Sequence, residues 1–197
     1  MSKLPLLLFL TLPVFAQSVL DGSHNYIFVQ VGDLNYEDSD HRFQYMADNV
    51  FALGEEIASL DWSDEAFRLT EGFHLNKYLA VEGTLNVFGE STATTTSGQQ
   101  LEARHLGLAM HLAGKYRFHR LLTAFGLIGG QYWVAETKLV GVTTDPHKVT
   151  RESANISWGF GAYAEVTETI LVRLDWHSSR VDTTDYSMTS LGMGISF

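Results

Sequence analysis

Ser190-Leu-Gly-Met-Gly-Ile-Ser-Phe197 is the stretch on which the reading of this chain turns. Counted back in steps of two, Phe197, Ile195, Met193 and Leu191 fall on one face of an extended strand, and Ser196, Gly194, Gly192 and Ser190 on the other. A half-solvated sheet sets bulky groups toward a core and polar groups toward water. Here the second face carries only glycine and serine, which suits the crowded interior of a narrow closed barrel. The bulky face is then the outside.

Upstream segments repeat the alternation with stronger chemistry. Ile170, Val172, Leu174 and Trp176 share a face against Arg173, Asp175 and His177. Ile156, Trp158, Phe160 and Ala162 oppose Asn155, Ser157, Gly159, Gly161 and Tyr163. Leu106, Leu108, Met110 and Leu112 oppose His105, Gly107, Ala109 and His111. Leu79, Val81, Leu85 and Val87 oppose Ala80, Glu82, Thr84 and Asn86. Phe67, Leu69, Phe73 and Leu75 oppose Arg68, Thr70, Gly72 and His74, with Glu71 an exception on the apolar side. A shorter strand spans Asn25 to Asp33. Another spans Leu121 to Val134, where both faces are apolar; we expect Phe125, Leu127 and Trp133 outward.

These are eight strands, each near the ~9–11 residues a tilted strand needs to cross a bilayer. Connections alternate in length. Leu34–Asp64, Gly89–Gln100 and Glu136–Glu152 are long, and Val181–Asp185 is modest. Asn76-Lys77, Gly114–His119 and Val166–Thr169 are tight. An even strand count with alternating long and short connections is the pattern of an eight-stranded antiparallel up-and-down transmembrane β-barrel, long loops outside and short turns in the periplasm. A closed barrel also satisfies every backbone group in lipid. Trp133, Trp158, Trp176, Tyr78, Tyr132 and Tyr186 lie near strand ends, where interfacial girdles belong. In the first loop, Asp48 as an N-cap with Val50, Leu53, Ile57 and Leu60 at near-helical spacing allows a surface helix; strand extensions above the membrane are the alternative.

Bulk properties agree. The 197 residues suit one domain, and a net charge of −10 argues against a nucleic-acid partner. With no cysteine there is neither disulfide nor thiolate chemistry. Lys3, the apolar run Leu4–Leu12 and Val14-Phe15-Ala16 read as a secretory signal over residues 1–16, leaving a barrel domain over 17–197.

Candidate chemistry concentrates on the inward face. Arg68, His74, Glu82, His105, His111, Glu165, Arg173, Asp175 and His177 are expected to form a structural luminal network, because desolvated charges must pair. An eight-stranded barrel leaves little room beyond side chains, so no wide channel is expected. His105 and His111 share a face, but six residues of strand separate them by ~20 Å, too far for one metal ion. No catalytic, cofactor-binding or metal residue is therefore assigned. His177-Ser178-Ser179 resembles the His-x-Ser pair of small barrels that deacylate lipid A, which need a Ser, a base and an orienting acid. That face belongs to the lumen, and Leu191 stands about where the acid would fall. The first loop is acidic, with Glu37, Asp38, Asp40, Asp48, Glu55, Glu56, Asp61 and Asp64 against Arg42. Such carboxylates could bridge to lipopolysaccharide phosphates through hard cations, though no loop has EF-hand spacing.

A family resemblance rests on three stretches. Gly72-Phe-His-Leu-Asn-Lys-Tyr-Leu-Ala-Val-Glu-Gly83 resembles the strand–turn–strand of OmpA-like and opacity-type surface barrels. Tyr163 to Trp176 is similar to their sixth and seventh strands, and Ser190 to Phe197 to their last. The resemblance implies an outer-membrane location with both mature termini periplasmic. It implies that Leu191, Met193, Ile195 and Phe197 form the signal read by the barrel-assembly machinery. It covers the barrel alone, so the soluble peptidoglycan-binding domain that follows the OmpA barrel carries no role over to this chain. Partners implied are outer-membrane lipid, lipopolysaccharide and a host or cell-surface ligand. Binding residues concentrate in loops on rigid frames. The expectation is a non-enzymatic surface protein serving envelope integrity or adhesion, with a lipid A deacylase as the alternative.

Overall fold

Period-two alternation over ten or more residues commits each segment to an extended strand with one small or polar face. Eight such strands curl until the small faces meet. The computed structural model describes residues 25–36, 39–49, 51, 53–61, 63–140, 148–181 and 184–197. The signal segment and the cleavage after Ala16 lie outside them.

The elements in order are β1 (Tyr26–Tyr36), α1 (Ser39–Asn49), β2 (Ile57–Asp61), β3 (Glu65–His74), β4 (Leu79–Phe88), β5 (Ser91–Thr95), β6 (Gln100–His119), β7 (Leu122–Val140), β8 (Lys148–Glu165), β9 (Ile170–Val181) and β10 (Thr184–Ser196). Sequential pairing runs β3–β4–β6–β7–β8–β9–β10. β1 closes the ring by pairing antiparallel with both β10 and β3. β2 and β5 sit outside the ring, added above β4 on the same edge of β6.

Facing follows parity. Met193 and Ile156 on the outer wall are 61% and 77% exposed, while Arg68, Arg173 and His177 inside are fully buried. Strand β7 reverses the expectation. Phe125, Leu127 and Trp133 point inward and are buried, and Gly126, Ile128, Gly130 and Tyr132 face out. The reason is that apolar layers flank the charged mid-height layer, with only scattered polar groups among them, such as Lys115 and Thr123 below and His105 and Gln131 above. Below, Tyr26, Phe28, Ala80, Ala113, Phe125, Leu127 and Leu171 pack the lumen. Above, Leu34, Ala66, Phe88, Trp133, Ala135, Tyr186 and Met188 do. Trp133 and Tyr186 therefore belong to an internal apolar layer and not to an interfacial girdle. Trp158, Tyr78 and Tyr132 are exposed on the outer wall, and Trp176 is half-buried there.

Strand ends also differ. β6, β7 and β8 have 20, 19 and 18 residues, about twice what the bilayer requires. Their far halves, with β2 and β5, rise past the barrel as a raised sheet. The turn joining β6 and β7 is Arg120-Leu121, later than the expected 114–119. Of the two readings of the first loop, a helix starting at Asp48 is not formed, since the helix present ends at Asn49, while Ile57–Asp61 is strand, as the alternative of strand extensions has it. The apolar spacing was real but served packing of another kind. Phe43 and Ala47 of α1, with Phe51, Leu53, Ile57 and Leu60, cover Ala93, Leu101, Ala103 and Leu139 on the inner face of the raised sheet. Gln44 fastens the helix by donating to the Glu55 carbonyl at 3.0 Å and accepting from the Ile57 amide at 3.1 Å. At the other end, Asn76 Oδ1 caps the tight turn by accepting from the Tyr78 and Leu79 amides.

Gly72 shows how narrow the lumen is. A Cβ there would fall on the ring of Tyr26, whose hydroxyl is held by Glu82 at 2.6 Å. Gly72→Leu should block closure. The variant is expected to lose the heat-modifiable gel mobility of the folded barrel, and a normal folded band would contradict the packing described.

Candidate functional site

Two features carry chemistry, a charged layer at mid-lumen and the raised sheet with its helix.

The charged layer is built by register. Gln30 of β1 stands between Gly192 of β10 and Arg68 of β3. Arg173 of β9 also lies beside Gly192, Asp175 beside Gly161, His177 beside Gly159 and His111 beside Gly129. Gln30, Arg173, Asp175, His177 and His111 thus each have a glycine next to them, which gives them room to cross the barrel, whereas Arg68 lies between Gln30 and Asn86.

Arg173 is the hub. It donates from Nη1 and Nη2 to the two Glu82 oxygens at 2.8 and 3.0 Å, and from Nε to Asp175 Oδ2 at 2.6 Å. Its guanidinium lies over Phe125, 4.2 Å from the ring centroid. Arg68 Nη1 reaches Asp175 Oδ1 at 3.2 Å. The Tyr26 hydroxyl donates to Glu82, Ser190 Oγ donates to Asp175, and Gln30 Nε2 donates to Asp175 at 3.2 Å and Ser190 at 2.8 Å. Thr70 donates to Gln30 Oε1 at 3.2 Å. Two cations and two carboxylates balance, and the neutral hydroxyls and amide occupy remaining lone pairs. That arrangement offsets much of the desolvation cost of buried charge, while Arg68 Nε and Nη2 have no hydrogen-bond partner among the described residues.

Above the layer, His111 and His177 meet edge to face with Nε2 atoms 3.3 Å apart, and His111 Nε2 is 2.8 Å from Ser157 Oγ.

Of the nine residues expected in one network, Arg68, Glu82, Arg173, Asp175, His111 and His177 come together. His74 is half-buried lower down, edge-on to Tyr26 at 5.2 Å. His105 lies in the upper layer against Phe88. Glu165 ends β8 at the tight-turn rim, where it pairs with Arg117 and is partly exposed. Parity was right for His74 and His105; their height along the strand, which parity does not encode, separates them. Tyr26, Gln30, Thr70, Ser157 and Ser190 were missed as partners. Gln30 was legible in principle, since it shares a face with Tyr26 and Phe28, but apolar residues on both faces of β1 obscured it.

Ser179 Oγ donates to the Ile156 carbonyl at 3.4 Å, while His177 Nε2 faces His111. Both point into the lumen. Among the described residues, no group of three or more His, Cys, Asp or Glu could hold a metal ion. A groove of about 820 Å³ lies on the outer wall, lined by Val31, Phe67, Val87, Leu174 and Leu191.

The raised sheet carries charges in pairs. Arg104 bonds Glu90 and Lys138 and Lys148 flank Glu136; beside the sheet, Arg180 of β9 binds Asp185 of β10 through two bonds at 2.7 and 2.8 Å. The Lys148 hydrogen bond holds the Glu136 carboxyl below its ordinary range, and Arg180 does the same for Asp185. A hydrogen bond from Ser97 lowers Glu55. Arg151 of β8 stacks on Tyr45 of α1 at 5.2 Å. β8 pairs with β7 along its length, but with β9 only from Trp158 onward; among the described residues Lys148–Ala154 has no strand on its other side, while Asn155 and Ile156 reach β9 through Asn155 Nδ2 to the Arg180 carbonyl and Ser179 Oγ to the Ile156 carbonyl.

Removing one partner of a buried charge cluster leaves the others unpaired. Arg173→Ala should cost about 3–5 kcal/mol, read by urea unfolding in lipid vesicles. Adding Glu82→Leu should recover part of that loss; additive losses would contradict the pairing. Apolar layers above and below the charges also predict no stable single-channel conductance in planar bilayers. Steady ion-selective steps would overturn that view.

The family described as outer membrane protein β-barrel domain matches over residues 4–197. Solved structures share the fold at low identity. Ail, the attachment invasion locus protein of Yersinia pestis, aligns with TM-score 0.56 at 14% identity, covering 88% of this chain and 98% of Ail. Neisserial surface protein A aligns with TM-score 0.54 at 10% identity, covering 88% and 97%. The N-terminal barrel domain of Pseudomonas aeruginosa OprF aligns with TM-score 0.51 at 10% identity, covering 89% and 100%. Ail has also been solved in complex with the heparin analogue sucrose octasulfate. No curated protein matches the chain by sequence.

Proposed function

This chain belongs to the outer-membrane β-barrel family and resides in the bacterial outer membrane, and from that premise we propose that it is a non-enzymatic surface protein whose raised sheet contacts other molecules. The termini and the tight turns face the periplasm, and α1, β2, β5 and the far halves of β6 to β8 stand outside. The signal of residues 1–16 directs export. Leu191, Met193, Ile195 and Phe197 serve as the assembly signal, since they project from the wall beside the closing seam with β1.

The observation that carries the reading is the open edge of β8 beside a helix-backed sheet. An unpaired edge exposes a row of N–H and C=O groups to any extended segment that meets it. It stands on a plugged, rigid barrel, the kind of scaffold on which binding surfaces are displayed. Ail supplies a precedent for a ligand at this fold, a sulfated one. A polyanion suits the present chain less well. Its net charge is −10, and Arg104, Lys138, Lys148 and Arg180 are paired with carboxylates. A protein ligand, on a host or neighbouring cell, fits the edge and the charge better. Support for envelope integrity follows from the same plugged wall in contact with lipid and lipopolysaccharide. The absence of catalysis is supported by where Ser179 and His177 point. Lipid substrate lies outside the wall, and Ser179 is bonded to a backbone carbonyl.

Replacing residues 37–64 and 89–99 by short turns should leave a heat-modifiable barrel that has lost cell attachment. Unchanged adhesion and serum survival would remove the proposal. In the same strains, lipid A mass spectra are expected to be identical with and without the gene. A missing acyl chain that returns on Ser179→Ala would establish the enzyme instead.

A further inference from the structure

Inward glycines of this barrel are forced by their neighbours. A Cβ at Gly72, Gly129, Gly159, Gly161, Gly192 or Gly194 would come within 3.0 Å of a packed side chain or backbone atom. Gly114 of β6 and Gly126 of β7 are different. They stand opposite each other in the register, both exposed on the outer wall, and a Cβ at either would meet nothing within 4 Å. Neither has the positive φ that would demand glycine. An outward position in the belt ordinarily carries a large apolar group, as Leu112 and Ile128, the next outward residues on the two strands, do.

What the two glycines leave is a notch of about 360 Å³, floored by Gly114, Gly126 and Ala124 and walled by Tyr78 and Tyr116. The Tyr78 carbonyl accepts from the Lys115 amide at 2.7 Å, which ties the β3–β4 turn to β6 beside the notch. The ammonium of Lys77 lies over the Tyr78 ring, 4.8 Å from its centroid, so a cation is attached to the wall of the notch. Lys77 is exposed and makes no ion pair among the described residues. The height suits a lipid. On β6 the outward series turns apolar at Leu106, just below the ion-paired Arg104. The rise from Leu106 to Tyr116, at ~3.3 Å per residue and a tilt of ~40°, is about 25 Å, the height of the apolar band. Tyr116 and Phe118 then occupy the interface, where aromatic side chains belong. Gly114 lies about 5 Å inside it, and Lys77 stands on the water side.

We propose that the Gly114–Gly126 notch holds an anionic, glycerol-headed phospholipid of the leaflet at the tight-turn end. Its phosphate accepts from the Lys77 ammonium, and its glycerol backbone and first acyl methylenes lie on the two glycines between Tyr78 and Tyr116. The inference rests on residence in the membrane, not on the surface-contact role. Charge complementarity selects the occupant. Lys77 favours a lipid of net negative charge, whereas the ammonium of an ethanolamine or choline head competes for the phosphate and repels the lysine. The glycines let the lipid approach the strands more closely than any side chain would permit, and the tyrosine rings pack against its methylenes.

The test uses barrel in nanodiscs made from equal parts glycerol-headed and ethanolamine-headed phospholipid, with retained lipid read by native mass spectrometry. Wild type should keep the anionic lipid over the zwitterionic one by about fivefold, the scale of one lysine at an anionic surface. Lys77→Ala should bring the ratio close to one. Gly126→Leu keeps the cation and fills the notch, and its side chain enters open space, so the barrel should fold and still lose the preference. Gly114→Leu is a second variant of the same kind. Arg120→Ala removes a cation from the β6–β7 turn, outside the notch, and should leave the ratio unchanged. Heat-modifiable gel mobility checks that each variant is folded. Equal retention of both lipids by wild type, or an undiminished preference in the folded glycine variants, overturns the proposal. So does an equal loss in Arg120→Ala and Lys77→Ala, which would mean diffuse attraction by the rim. None of these results touches the adhesion experiment.

Discussion

Ring closure at β1 is the constraint from which the rest follows. Hydrocarbon offers no hydrogen bonds, so each backbone N–H and C=O in the belt must find a partner in the protein. β1 supplies the last set by pairing with β10 along one edge and β3 along the other. Once eight strands are closed, the lumen has a fixed small width, and whatever points inward must pack there. Glycines then become structural necessities. Gly72 yields to the Tyr26 ring, and Gly192 lies beside both Arg173 and Gln30. The charged layer is a consequence of closure as well. Arg173 could not cross to Glu82 unless opposite walls were held at that separation.

Closure also explains how much could be read from residues alone. Facing on β3, β4, β6, β8, β9 and β10 was legible because one face of each is bulky and the other small or polar. On β7 both faces are apolar, so parity had no contrast to work on. Phe125 and Trp133 went inside because apolar layers flank the charges, and only the three-dimensional stack shows that the lumen changes character with height. The same blindness to height merged His74, His105 and Glu165, which sit toward the ends of the barrel, with the cluster at mid-lumen. The His111–His177 contact joins strands distant in sequence and leaves no local trace.

The raised sheet was harder still. Its apolar residues, Leu53, Ile57 and Leu60, follow a spacing compatible with helix, but their partner surface is the inner face of β5, β6 and β7. That surface exists only because those strands continue past the bilayer. Alternation does not reveal where the lipid stops, since a strand alternates above the membrane as it does within it. The change shows in the outward residues instead. Leu106 and Ile156 give way to Arg104, Lys138 and Lys148 farther up.

The division of labour within the chain has a physical basis. In the lumen each polar group is chosen by its neighbours, and altering one strands several, so chemistry there is spent on holding the wall. On the outer belt the solvent is lipid, and the strands present it almost entirely apolar side chains. Above the belt the constraints relax, and water can satisfy the part of the β8 edge that no described strand pairs. Pairing of Lys148 with Glu136 and Arg180 with Asp185 keeps that edge from attracting counter-charged molecules at large. In the proposed surface-contact role, what would select a partner is the backbone edge and the helix-backed sheet behind it. That form of recognition depends on shape and register more than on any single residue, which is why no motif in the sequence announces it.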